Sequence, residues 1–128
     1  MYIRTSRLII RDYQPSDHLD IHDIFSNEIV MKDCEPVYTP DQTANALALF
    51  MKKSIAYAVM LADSGKVIGH LLFHQLPSEQ KGIYEIGWFF NQHFWNQGYA
   101  FEAASAIINY GFEVLNLHKI TAETIDPV

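Results

Sequence analysis

The stretch from Glu85 to Ala103, EIGWFFNQHFWNQGYAFEA, decides the fold. Together with the two residues before it, its opening forms the run 83–90 (IYEIGWFF), aromatic and β-branched, which reads as a buried strand. Residues 91–98 read as a loop. From about Ala100, the residues Ala104, Ile107, Ile108, Gly111 and Leu115 recur at helical spacing. The segment 119–124 (KITAET) reads as a further strand. Strand, helix and strand in this order make a crossover, so the two strands lie parallel with a right-handed connection. The join between strand and helix carries chemistry. The first turn of a helix leaves backbone N–H groups unpaired, at the positive end of the macrodipole. A phosphate fits such a place. Gly98, with no Cβ, lets the backbone approach an anion closely, and Ala100 is small. An ordinary loop-to-helix junction has the same composition, so these residues alone leave both readings open.

Outward from this stretch, the remaining elements follow from local chemistry. Residues 8–13 (LIIRDY) read as a first strand. Ser16 and Asp17 open a helix whose apolar face holds Leu19, Ile21, Ile24 and Phe25. Residues 27–31 add a short turn. Thr39-Pro40-Asp41-Gln42 is a second opening: Thr39 caps, Pro40 suits the first helical position and Gln42 completes a capping box. Strands at 57–61 and 67–75, joined by the turn Asp63-Ser64-Gly65-Lys66, form a hairpin. A polar loop at 77–82 follows. The expected order is β-α-α-β-β-β-α-β, an α+β fold in one domain over 1–128.

Composition excludes several classes. Hydrophobic residues make up 49% of the 128, too many for a disordered chain. Apolar runs such as 55–62 fall far short of the ~20 residues that a membrane span needs. The N-terminus has no apolar h-region, so no signal peptide is expected. Nine Lys and Arg stand against fifteen Asp and Glu, for a formal charge of −6. That balance argues against a nucleic-acid partner and suits a cationic substrate such as an amine. Cys34 is the sole cysteine, so no intrachain disulfide forms and a cytoplasmic protein is expected.

Other residues were weighed for chemistry. His18 and His22 stand four apart and can face one metal, but no third ligand is in view, and no metal is expected. His70 and His74 share one strand face and can line a cleft. Cys34 reads as a packed side chain. Trp88, Phe89, Phe90, Phe94 and Trp95 lack basic neighbours, so they read as core and contact residues rather than a base-stacking platform.

Three motifs together resemble one family. Trp95-Asn96-Gln97-Gly98-Tyr99-Ala100 resembles the cofactor loop of the GNAT acyltransferase superfamily, usually Q/R-x-x-G-x-G/A. Trp95 in first place is similar to the ribosomal-protein N-terminal acetyltransferases of the RimJ/RimL type, where W-G-K-G-Y-A-x-E-A is usual. Gly98, Tyr99, Ala100, Glu102 and Ala103 match that form, while Asn96 and Gln97 replace its Gly and Lys. Thr5-Ser6-Arg7-Leu8-Ile9-Ile10-Arg11 resembles the opening T-x-R-L-x-L-R, and Glu85-Ile86-Gly87-Trp88 resembles E-I-G-Y/W.

The resemblance implies a GNAT fold, a mixed central sheet flanked by helices, using acetyl-CoA. The pyrophosphate would sit on N–H groups around Gln97, Gly98, Tyr99 and Ala100, with Trp95 and Asn96 in the same loop. The pantetheine arm would pair with the end of the strand at Trp88, Phe89 and Phe90. That strand would carry a bulge and splay from 119–124. A backbone N–H near Phe89 or Phe90 would polarise the thioester. The acceptor would be an amine-bearing small molecule or a protein N-terminus. Glu85, a carboxylate among apolar neighbours, is the candidate base; a solvent-facing or loop-holding Glu85 is the alternative. The proton donor to the thiolate, and the family's last helix and strands, would lie beyond Val128. A C-terminally truncated domain is therefore expected, with its bare edge at 119–124 paired in a homodimer. The alternative function is a non-catalytic acyl-CoA-binding or interaction module.

Overall fold

The computed structural model describes residues 1–32, 36–76 and 82–122. Cys34, the predicted strand end at 123–124 and most of the loop at 77–82 lie outside them. Helix α1 (His18–Phe25) follows a 3₁₀ turn at Pro15–Asp17. Asp17 anchors that turn. Its carboxylate accepts from the Gln14 N–H at 2.7 Å and pairs with both terminal nitrogens of Arg11 at 2.9 Å. Helix α2 (Pro40–Lys52) starts on the expected capping box. The Gln42 N–H donates to Thr39 Oγ1 at 3.2 Å, and the Thr39 N–H donates to Gln42 Oε1 at 2.9 Å.

Six strands among the described residues form one sheet in sequential order: β1 (Tyr2–Arg4), β2 (Leu8–Arg11), β3 (Ala56–Leu61), β4 (Val67–Gln75), β5 (Ile83–Phe90) and β6 (Lys119–Ala122). Strand β1 was not expected. It is three residues long, and the Thr5-Ser6-Arg7 turn that folds it back on β2 has no Gly or Pro to mark it. All neighbours are antiparallel except β5 and β6, which are parallel across α3 (Tyr99–Glu113), as the crossover requires.

The expected bulge in β5 is absent from its pairing with β4, which runs in constant register from Gly69–Phe90 to Gln75–Tyr84. The register shift lies instead between β3 and β4, where Val59 faces Gly69 but Met60 faces Val67, leaving Ile68 as the extra residue. Among the described residues β6 pairs with Ile83 to Ile86, and the expected splay falls opposite 123–124, outside those residues. Two bonds at the ends of the β4–β5 ladder set its phase, Leu76 N–H to the Ile83 carbonyl at 3.1 Å and Asn91 N–H to the Ile68 carbonyl at 2.8 Å. Antiparallel bonding alternates. The odd residues of β5 therefore bond β4, and Tyr84, Ile86, Trp88 and Phe90 turn their backbone groups toward the β6 side.

Side-chain alternation divides the core between the two faces of the sheet. Leu8, Ile10, Val59, Leu71, Phe73 and Ile86 pack with Ala103 and Ile107 of α3. Tyr13, Ala58 and Val67 pack with Ile21, Ile24, Phe25 and Leu47 of α1 and α2. His70 lies on this second face, sealed among Phe25, Phe50 and Phe89, with Tyr13 Oη 2.6 Å from its Nδ1. Burial pushes its imidazole down to about 3. Among the described residues no helix is long and apolar enough to cross a membrane.

Two consequences are measurable. An unfolded histidine takes up a proton near 6.5, whereas folded His70 stays neutral down to about 3. The unfolded state binds more protons in that window, so His70 stabilises the fold fully above it and less as pH falls through it. Its contribution falls by about 1.4 kcal/mol per pH unit. His70→Gln is expected to remove that slope from urea-unfolding curves taken between about pH 5 and 6.5. Gly69 is held small by Phe90, because a Cβ at position 69 would stand 2.6 Å from Phe90 Cε2. Gly69→Ala is expected to destabilise by about 1–3 kcal/mol. Phe90→Leu in the same chain should recover part of that loss in a double-mutant cycle.

Candidate active site

The loop between β5 and α3 is built by side chains that face inward on it. Asn91 Oδ1 accepts from the His93 N–H at 2.9 Å and starts a 3₁₀ turn over Gln92–Phe94. Trp95 then folds back, its indole Nε1 donating to the Phe90 carbonyl at 2.8 Å. Trp95 thereby closes the loop against the strand end. Asn96 has φ 63° and Gly98 φ 82°, both left-handed. Asparagine is among the few non-glycine residues that tolerate this region, so Asn96 keeps a backbone shape open to the glycine it replaces in the family's usual form.

Gly98 is the N-cap of α3, and it has no side chain with which to cap. The contrast with Thr39 and Gln42 on α2 is direct. The intrahelical bonds of α3 begin with Glu102 N–H to the Gly98 carbonyl at 3.0 Å. The N–H groups of Tyr99, Ala100 and Phe101 precede it and have no partner within the helix. A recess lies beside them, lined by Phe90, Trp95, Asn96, Gly98, Tyr99 and Ala100 with Phe94 and Phe101. Six of the predicted cofactor residues thus come together.

Three others stand apart from that recess. Gln97 turns its side chain to the His93 carbonyl at 3.3 Å and its own carbonyl to Arg7. Trp88 packs against the α3-side core. Phe89 lies on the opposite face beside His70. The backbone phase also separates the last two strand residues: Phe90, not Phe89, directs its N–H to the β6 side, as does Trp88. Its carbonyl is already held by Trp95.

Arg7 is a part of the site that motif matching did not assign. From the β1–β2 turn it reaches the loop and the helix together. Its Nε donates to Glu102 Oε1 at 2.7 Å, its Nη1 donates to the Gln97 carbonyl at 3.1 Å, and its guanidinium carbon stands 4.2 Å from the centre of the Tyr99 ring. Glu102 also accepts from the Arg7 N–H at 3.0 Å, the Ser6 hydroxyl at 3.5 Å and the Thr5 hydroxyl. Burial pushes the Glu102 carboxyl up, but the hydrogen bonds from Thr5 and Arg7 and the charge of Arg7 outweigh it, and the group sits below its usual value. The signal was present in two separate motifs, T-x-R-L and Y-A-x-E-A; only folding brings them into contact.

Glu85 faces the α1/α2 side and stands directly opposite His74 on β4. His74 Nε2 is 3.2 Å from Glu85 Oε1, and His74 Nδ1 is 3.1 Å from the Gln75 carbonyl. Both side chains are about a quarter exposed. Both ring nitrogens are thus within hydrogen-bond reach of an oxygen, and the tautomer sets which of them donates. Such a pair can hold and pass a proton. His70, by contrast, is sealed in the core. His18 and His22 bond the Pro40 carbonyl at 3.2 Å and Thr43 Oγ1 at 2.6 Å, tying α1 to α2.

Comparison with known proteins places this geometry. The profile of the acetyltransferase (GNAT) domain matches residues 7–126. An uncharacterized N-acetyltransferase of Bacillus subtilis (strain 168), YnaD, is 41% identical over 125 residues, covering 95% of this chain and 72% of that protein. The crystal structure of an acetyltransferase (GNAT family) from Bacillus anthracis superposes with a TM-score of 0.90 at 37% identity, covering 95% of this chain and 72% of that one. More distantly, spermidine N-acetyltransferase from Vibrio cholerae, solved with CoA and spermine, shares the fold at a TM-score of 0.76 and 21% identity, over 92% of this chain and 71% of that one. On the match over residues 7–126 and the identity to these relatives, the chain belongs to the GNAT acetyltransferase family as an N-acetyltransferase.

Proposed function

We propose that the protein transfers an acetyl group from acetyl-CoA to a primary amine by direct attack on the thioester. The observation that carries this reading is the uncapped first turn of α3 at Gly98, next to the end of β5, where Trp88 and Phe90 turn their backbone groups to the β6 side. An anionic pyrophosphate suits the N–H groups of Gly98, Tyr99 and Ala100. An extended arm with amide groups suits the backbone of Trp88 and Phe90, which adds to a strand edge as a peptide would.

In this reading the amine nitrogen attacks the thioester carbonyl carbon. A backbone N–H of Trp88 or Phe90 stabilises the oxyanion. The C–N bond forms, the C–S bond breaks and CoA leaves as the thiolate. The proton lost from the amine passes to Glu85, with His74 as its hydrogen-bond partner. Three residues of strand, about 10 Å, separate Glu85 from Trp88, so the proton travels through water. Holding both reactants side by side supplies much of the rate. The acceptor class that fits best is a cationic amine, in keeping with the net charge of −6. The resemblance to the ribosomal-protein branch favours a protein N-terminus, and a polyamine is the competing acceptor.

Thiol release from acetyl-CoA across a panel of N-terminal peptides and polyamines tests the acceptor. Gly98→Val forces a branched side chain into a left-handed conformation beside Arg7, whose Nη2 stands 3.4 Å from where a Cβ would sit. A loss of CoA affinity of at least about tenfold is expected by calorimetry; unchanged affinity in the folded variant overturns the loop assignment. Glu85→Gln is expected to lower turnover by about 10²–10⁴-fold with little change in acetyl-CoA affinity. A drop below about threefold at neutral pH returns Glu85 to a structural role.

A further inference from the structure

The contact between Arg7 and the Gln97 carbonyl has a consequence for the anion site. A trans peptide points its C=O and N–H in opposite directions. With the Gln97 carbonyl held by Arg7 Nη1 at 3.1 Å, the N–H of the same peptide, which belongs to Gly98, faces away from Arg7. Rotation of that peptide would exchange the two, placing a carbonyl oxygen where an anion has to approach. Glycine is the residue that permits such a rotation most readily, because it accepts either sign of φ. The loop therefore contains a flip-prone peptide at the place where orientation matters most.

Glu102 poses a second difficulty for an anion. It stands in the first turn of α3, where the macrodipole attracts its carboxylate just as it attracts a phosphate. Left alone, it would compete for the free N–H groups or repel the ligand. Four donors draw it toward the β1–β2 turn instead: the Thr5 and Ser6 hydroxyls, the Arg7 N–H and Arg7 Nε. One guanidinium serves both tasks, since its fork binds Glu102 with Nε and the Gln97 carbonyl with Nη1 while lying over the Tyr99 ring.

We propose that Arg7 is a positioning residue for the cofactor loop: it locks the peptide between Gln97 and Gly98 against flipping and holds Glu102 away from the anion site. The proposal rests on the acetyl-CoA reading of that loop. It assigns the β1–β2 turn, distant in sequence from the loop, a direct part in cofactor affinity.

The test compares CoA binding with thermal stability in the parent protein and in Arg7→Met, Arg7→Lys, Arg7→Glu, Glu102→Gln and the swapped pair Arg7→Glu/Glu102→Arg. Arg7→Met is expected to weaken CoA binding and raise the acetyl-CoA KM by about tenfold or more, with kcat at saturating acetyl-CoA within about threefold of the parent. Arg7→Lys is expected to fall between, because an ammonium lacks the planar fork that holds both partners. The swapped pair is expected to regain the melting temperature lost in Arg7→Glu but not the CoA affinity, because a carboxylate at position 7 has no proton to donate to the Gln97 carbonyl. Folded Arg7→Met with CoA affinity within about twofold of the parent overturns the proposal. So does a swapped pair that recovers affinity along with stability, since the ion pair alone would then suffice. If Arg7→Met does not fold, Arg7→Lys decides: affinity equal to the parent overturns the lock. A parent protein that binds no CoA overturns the acetyl-CoA reading and the lock together, whereas a parent that binds and an Arg7→Met that binds equally well overturn the lock alone.

Discussion

Strand β5 is bonded to β4 along its length, and the rest of the site depends on the phase of that ladder. The phase of the β4–β5 ladder commits the backbone of the odd residues to the sheet. The same phase turns the backbone groups of Trp88 and Phe90 toward the β6 side. The following segment builds the loop from there: the Trp95 indole closes on the Phe90 carbonyl, the chain turns through two left-handed residues, and α3 begins beside the end of β5.

The two longer helices show opposite treatments of the same problem. Helix α2 satisfies N–H groups of its first turn with the side chains of Thr39 and Gln42. Helix α3 starts on a glycine that satisfies none. The carboxylate nearest to those free groups, Glu102, is held by the turn between β1 and β2 and does not reach back to cap them. The open start of α3 is therefore maintained by a contact with the β1–β2 turn, far away in the sequence. The short β1 has a purpose in this light: pairing with β2 fixes the turn that carries Thr5, Ser6 and Arg7.

Much of this was legible before folding was considered. The capping box at Thr39, the hairpin at 57–75, the strand at 83–90 and the parallel crossover each rest on local chemistry, and each is present. The loop at Gly98 was legible because a left-handed cap leaves a mark that one residue can carry. Strand β1 was not legible, since three residues have too little periodicity and a turn without glycine or proline leaves no mark. The bulge implied for β5 by family resemblance was misplaced; the irregularity lies at Ile68, whose side chain joins the α3-side core while that of its neighbour Val67 joins the other face.

What the sequence by itself determined is every described strand and helix but β1, and the place of the glycine turn before α3, because periodicity, caps and glycine conformations act over a few neighbouring residues. Only the tertiary structure decided which groups meet. The pairing of Glu85 with His74 depends on strand register, which is set by the hairpin and the core together. The division between Phe89, beside His70, and Phe90, at the recess, depends on the phase of a ladder. The contact of Arg7 with Gln97 and Glu102 joins residues about ninety positions apart. Interactions of that span have no local signature, because the chemistry of each partner is satisfied equally well by solvent until the fold brings the other within reach.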